Sequence, residues 1–137
     1  MNSIFIDANI ILDVLYKREP YFEDSNVILS LCENKKIHGI TSTAILMNLH
    51  YIIMHRTHSR KIACKAIAEL GKILDIIDIR KEDVLSSCDK VPKNIDNYVN
   101  ELCAIRNSCE AIITRNRKDF SGEKIRVMDP EEFLKGY

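Results

Sequence analysis

At 137 residues the chain has the size of one domain, spanning 1–137. Hydrophobic residues make up 46% and charged residues 29%, with 4 Gly and 3 Pro. That excludes disordered, collagen-like and low-complexity material. Twenty basic against twenty acidic side chains leave a formal net charge of zero, which argues against a globally basic nucleic-acid binder and leaves room only for a local basic patch.

The first apolar run, Ser3–Ile6, reads as a buried strand ending at Asp7, and 9–16 as a helix with one apolar face. A second helix is expected over 21–34 and a short strand over 38–41. Ser42 or Thr43 can cap the helix that follows. Residues 59–72 form another amphipathic helix, expected to stop at Gly71. The third strand is read over 73–79 and a short helix over 81–87. Pro92 breaks the chain, and Asn94 can cap a helix to about Asn107. A fourth strand over 110–114 runs into the polar stretch 115–119, and 125–127 is a short fifth strand. Asp129 and Pro130 then open a final helix. Short strands alternating with helices predict an α/β protein with a mainly parallel sheet, whose site lies beyond the C-terminal strand ends. No apolar run approaches the roughly 20 residues of a membrane helix. The N-terminal stretch carries Asp7 and Asp13 without a basic segment, so a cytoplasmic protein without a signal peptide is expected. Five cysteines without a CxxC pair argue against a zinc ribbon or thioredoxin-type site, and all five are expected to be small buried hydrophobes.

A carboxylate directly after a buried strand is costly unless it is used, which singles out Asp7; capping the next helix is its alternative role. The stretch 112–120 places Thr114, Asn116, three cations (Arg115, Arg117, Lys118) and Asp119 just past another strand. A solvated polar loop is the plainer account of it. The chain opens with Asp7-Ala8-Asn9, continues with an arginine-aromatic turn at Arg18–Phe22 and a strand into the Ser/Thr cap at Ser42, and closes with Thr114-Arg115-Asn116 followed by Asp119-Phe120. In these features and in element order it resembles the PIN domain, in particular the small VapC-like (PilT N-terminus-like) ribonuclease toxins.

The resemblance implies a three-layer α/β/α fold with a short, mainly parallel β-sheet. It also implies a metal-dependent endoribonuclease with Mg²⁺ or Mn²⁺ at a cluster of acids. Hard cations take oxygen ligands, and phosphodiester hydrolysis gains from a metal that activates water and neutralises charge. Asp7 and Asp119 match the family's first and fourth acids and are the expected metal ligands. The second and third acids fall on Asn48 and Asn97, with Asn94 where a further acid often stands. An amide oxygen can still face a hard cation but brings no charge, so the site is expected to be weakened and its metal weak or absent. Asp96 points about 100° away from Asn97 around the helix, and Asp13 is poorly placed. Glu101, one turn after Asn97 on the same face, is the candidate compensating acid, against the commoner case of an exposed helix glutamate.

By the same resemblance Asn9, Ser42, Thr114 and Asn116 position ligands or water, and Arg115, Arg117 and Lys118 hold RNA. The implied partners are RNA, a small antitoxin and a second copy in a homodimer, with no membrane. The rival reading is a catalytically inactive PIN-fold module that binds RNA or a protein. His50, His55 and His58 lack clean i, i+4 metal spacing and read as part of a basic surface with Arg56, Arg60, Lys61 and Lys65. Tyr16, Tyr21, Phe22 and Tyr51 read as core or interface aromatics. No nucleotide-binding glycine loop and no nucleophile elbow is present.

Overall fold

In the computed structural model, which describes residues 2–137, five parallel strands form one sheet: β1 (Ser3–Ile6), β2 (His38–Ser42), β3 (Asp75–Ile77), β4 (Ala111–Ile113) and β5 (Arg126–Met128). Their spatial order is β3-β2-β1-β4-β5, with every neighbouring pair parallel. β1 is central; Phe5 stands opposite Ile40 on one side and Ile112 on the other. Its Ile4, Phe5 and Ile6 are fully buried, as a strand covered on both faces requires, which is why it reads as an unbroken apolar run.

The helices are α1 (Ala8–Leu15), α2 (Phe22–Glu33), α3 (Thr43–Thr57), α4 (Arg60–Ile73), α5 (Lys81–Asp89), α6 (Ile95–Arg106) and α7 (Pro130–Gly136). Right-handed crossovers put the helices of β1→β2→β3 on one face of the sheet. The chain then reverses direction to reach β4 beyond β1, which puts α5 and α6 on the other. The packing agrees: α1 to α4 and α7 contact one another, while α5 packs on α6 and α6 against β2 and β4. This is the three-layer α/β/α architecture expected from the sequence.

Local signals set most boundaries. Ser42 caps α3 by accepting from the Ile45 amide at 3.2 Å, Asn94 caps α6 through the Asn97 amide, and Asp129 with Glu132 forms a capping box ahead of Pro130. Three expectations need correction. Gly71 does not stop α4: it sits exposed near the helix end with nothing near its missing side chain, and the chain straightens only at Leu74. The third strand is confined to Asp75–Ile77, because its first expected residue belongs to α4 and its last ones lie past the ladder with β2. Two of the cysteines, Cys64 and Cys88, are exposed, since the polar faces of α4 and α5 carry them; only Cys32, Cys103 and Cys109 are buried. Burial pushes the thiol of Cys32 up to about 11 and that of Cys109 up to about 12. Gly39 is required where β2 passes α2: a Cβ there would lie 2.5 Å from the Cys32 sulfur and 2.7 Å from a Leu74 methyl.

Candidate functional site

The strand order reverses between β1 and β4, so their C-terminal ends flank the crevice where open parallel sheets bind ligands. Asp7 follows β1 and Thr114 follows β4. The Asp7 amide donates to the Ile113 carbonyl at 3.1 Å, which locks the two ends side by side.

Asp7 caps α1 and is also bonded to the segment that follows β4. Its Oδ1 accepts from the Ala8 amide at 2.8 Å; its Oδ2 accepts from the Thr114 hydroxyl at 2.7 Å and the Asn9 amide group at 3.2 Å. Asn9 also donates to Thr114 Oγ1 at 3.0 Å and accepts the Arg115 amide through Oδ1. The Asn116 amide closes the ring on Thr114 Oγ1 at 3.0 Å. The D-x-N and T-R-N segments thus form one hydrogen-bonded unit, although about a hundred residues separate them. Burial pushes the Asp7 carboxyl above the usual aspartate range; the bonds from Thr114, Ala8 and Asn9 oppose that, and the negative charge of Asp119 adds to it.

Asp119 ends a single 3₁₀ turn (Arg117–Asp119) and is exposed. Asn48 is exposed on α3 and Asn97 half-buried in the first turn of α6, while the Asn94 side chain is occupied as a helix cap. Ser42 is fully buried; besides capping α3 it donates to Asn100 Oδ1 at 2.6 Å, joining α3 to α6. Glu101 departs from the exposed-helix account. It is 3% exposed, and its carboxylate accepts from both the amide and the hydroxyl of Ser121. The helix face bearing Glu101 packs under the 117–121 loop, so the carboxylate ties that loop to α6 and lines one cavity together with Asp119.

Two of the three cations expected to hold RNA are committed elsewhere. Arg115 forks onto Asp13 with contacts of 2.7 and 2.8 Å and lies 3.8 Å over the Tyr21 ring. Asp13 is fully buried and also accepts from Arg18 and Ser25 at 3.0 and 3.1 Å. Arg117 pairs with Glu132 at 2.6 Å. Lys118 makes no ion pair among the described residues. The sequence reading missed Asp13 as the hub of this cluster, Asn100 as partner of Ser42, and Ser121 as partner of Glu101. Only the arginine five residues after Asp13 hinted at the first.

Among the described residues no three His, Cys, Asp or Glu side chains are placed to hold a metal ion. His50 is 3.6 Å from Cys64, His55 packs on the edge of Tyr51, and His58 is the left-handed C-cap of α3. The expected core or interface role suits Tyr16 and Phe22, which are half-buried, whereas Tyr21 and Tyr51 are 44% and 62% exposed. The acids available for a metal beside the crevice are Asp7 and Asp119, whose charge acts on Asp7. Such a set fits a single Mg²⁺ or Mn²⁺ that keeps much of its water, and does not fit a cluster of three or four acids. Asp7 Oδ1 accepts only one hydrogen bond and so retains a free lone pair.

Comparison with known proteins gives the same fold. VapBC-1 from nontypeable Haemophilus influenzae superposes with a TM-score of 0.70 at 15% identity, covering 94% of this chain and 98% of that one. A toxin–antitoxin complex from Klebsiella pneumoniae gives 0.68 at 22% identity, covering 93% and 98%. VapC20 of Mycobacterium tuberculosis, described as a toxin cleaving the sarcin–ricin loop, gives 0.64 at 12% identity, covering 88% and 92%. No curated protein matches the chain. The sequence profile of the PIN domain family matches residues 3–118, from the start of β1 to one residue short of Asp119. With that match across most of its length, the chain belongs to the PIN domain family.

Proposed function

We propose that this protein is an endoribonuclease of the VapC type, the toxin of a toxin–antitoxin pair, working through a weakened, two-carboxylate metal centre. The observation that carries the reading is the joining of Asp7, Asn9, Thr114 and Asn116 into one bonded unit at the switch point of the sheet, with Asp119 close enough to raise the Asp7 pKa. PIN domains generally use a divalent metal, and Asp7 and Asp119 are the residues that would hold Mg²⁺ or Mn²⁺ here. Bound there, the ion supplies an activated water and neutralises charge building on the phosphodiester. Thr114 and Asn9 orient the Asp7 carboxylate, and Asn97 and Asn48, which stand where the resemblance puts acids, would bring neutral oxygens in place of charge. Antitoxin pairing is supported by the solved complexes that share the fold. Assembly as a homodimer in the cytoplasm belongs to the same reading; no helix is long and apolar enough to cross a membrane among the described residues.

A second reading, a PIN-fold module that binds RNA or a protein without cutting, is favoured by the absence of a three-acid cluster among the described residues. Cleavage of a mixed structured RNA with Mg²⁺ and with Mn²⁺ separates the two. Wild type is expected to cut slowly, Asp7→Asn to lose on the order of a hundredfold or more, and the double variant Asn48→Glu with Asn97→Asp to cut faster than wild type. Cutting gained only in the double variant establishes the binding module. No cutting by either protein removes the nuclease reading.

A further inference from the structure

The structure withdraws Arg115 and Arg117 from the crevice, which leaves a question for any RNA ligand: what neutralises its phosphates? A cavity of about 350 Å³ lies against Asp119, between the 117–121 loop and the segment that joins α5 to α6. Lys118 borders it from the first side and Lys90 and Lys93 from the second; the half-buried Tyr98, the buried Glu101 and the exposed Glu123 also line it. None of the three lysines is paired with an acid among the described residues. The segment holding two of them is not a relaxed loop. Val91 takes a φ of 45°, a conformation β-branched residues avoid, and its side chain is 84% exposed.

We propose that this cavity is the binding site for the RNA strand leading to the reacting phosphate, with Lys90, Lys93 and Lys118 contacting successive phosphates and Tyr98 offering its ring to a base. The proposal rests on the reading of the crevice as one that takes RNA. Its chemistry is that of single-strand binding: spaced cations follow a phosphate backbone, and an aromatic face stacks a base without regard to sequence. An acidic peptide would use the lysines but leave the ring unused.

The test is binding, read apart from hydrolysis. A fluorescently labelled short single-stranded RNA of mixed sequence is titrated by anisotropy in the presence of a chelator, over a range of salt. The double variant Lys90→Ala with Lys93→Ala, both exposed positions, is expected to bind on the order of tenfold more weakly at about 0.1 M salt. Its salt slope should be shallower by about 1.4, roughly 0.7 for each lost phosphate contact. Lys61→Ala with Lys65→Ala on α4, which removes the same charge elsewhere, should leave both values near wild type. The proposal is overturned if the first variant binds like wild type, if the α4 variant loses as much, or if wild type binds no RNA. It is equally overturned if an acid-rich peptide competes as well as unlabelled RNA, which would assign the cavity to a protein partner. Loss of hydrolysis with metal present, while this binding pattern holds, would remove the nuclease reading and leave the RNA site standing.

Discussion

Asp7 carries two roles that pull against each other. As the cap of α1 and acceptor from Thr114 and Asn9 it is well satisfied, yet burial beside Asp119 holds its pKa above the ordinary aspartate value. The folded protein therefore binds the Asp7 proton more tightly than the unfolded chain does, and folding stability from this group falls as pH rises through the raised pKa. Above that pKa the charged carboxylate costs stability; below the ordinary aspartate pKa of about 4 the cost is gone. Asp7→Asn is accordingly expected to melt higher than wild type at pH 7, with the difference shrinking as the pH is lowered toward 4. Thermal unfolding of both proteins across that range checks it, and a gap that widens on acidification would contradict the assignment. The fully buried Asp13 shows the opposite solution, since two arginines and Ser25 compensate its charge.

The element scale is where the site acquires its rigidity. α1 starts on Asp7, α3 starts on Ser42, and α6 is joined to α3 by the Ser42–Asn100 bond and to the Asp119 loop by Glu101. Each element end at the crevice is thus held by a side chain that also serves a neighbour. Ser42→Ala removes a helix cap, worth about 1 kcal/mol, and leaves Asn100 buried without its partner, a further 1–3 kcal/mol. A loss of about 2–4 kcal/mol in urea unfolding is expected, whereas a loss confined to the cap alone would show that Asn100 finds another donor. Ser42 was legible in the sequence as a cap through its position between strand and helix. Its second bond was not, because nothing local marks a residue 58 positions away as the acceptor.

For the molecule as a whole, metal binding at the proposed Asp7–Asp119 site would be linked to the stability of the fold, since the unfolded chain does not hold the two carboxylates together. A protein that grips Mn²⁺ tenfold more tightly gains about 1.4 kcal/mol at saturating metal. For a chain of this length that is a rise of roughly 3–6 °C in Tm. Asn48→Glu with Asn97→Asp is expected to show a Mn²⁺-dependent rise larger than wild type by at least that amount, and chelator should abolish it. Equal shifts in the two proteins would place the metal away from α3 and α6.

Element order, the cap residues and the fold class were determined by the sequence itself, because strand runs, Ser, Asn and Asp caps and Pro130 act over a few residues. The family was equally legible, since Asp7-Ala8-Asn9 and Thr114-Arg115-Asn116 are contiguous motifs. Only the tertiary structure decided which charges are free. Arg115 and Arg117 stand beside Lys118 in sequence, yet buried Asp13, the Tyr21 ring and Glu132 claim the first two and leave the lysine. Glu101 looked like a solvent-facing helix residue until the loop after Asp119 folded over it. The physical reason is common to both cases: a side chain's charge is set by neighbours that long-range packing brings within a few ångströms, and local sequence carries no record of that distance.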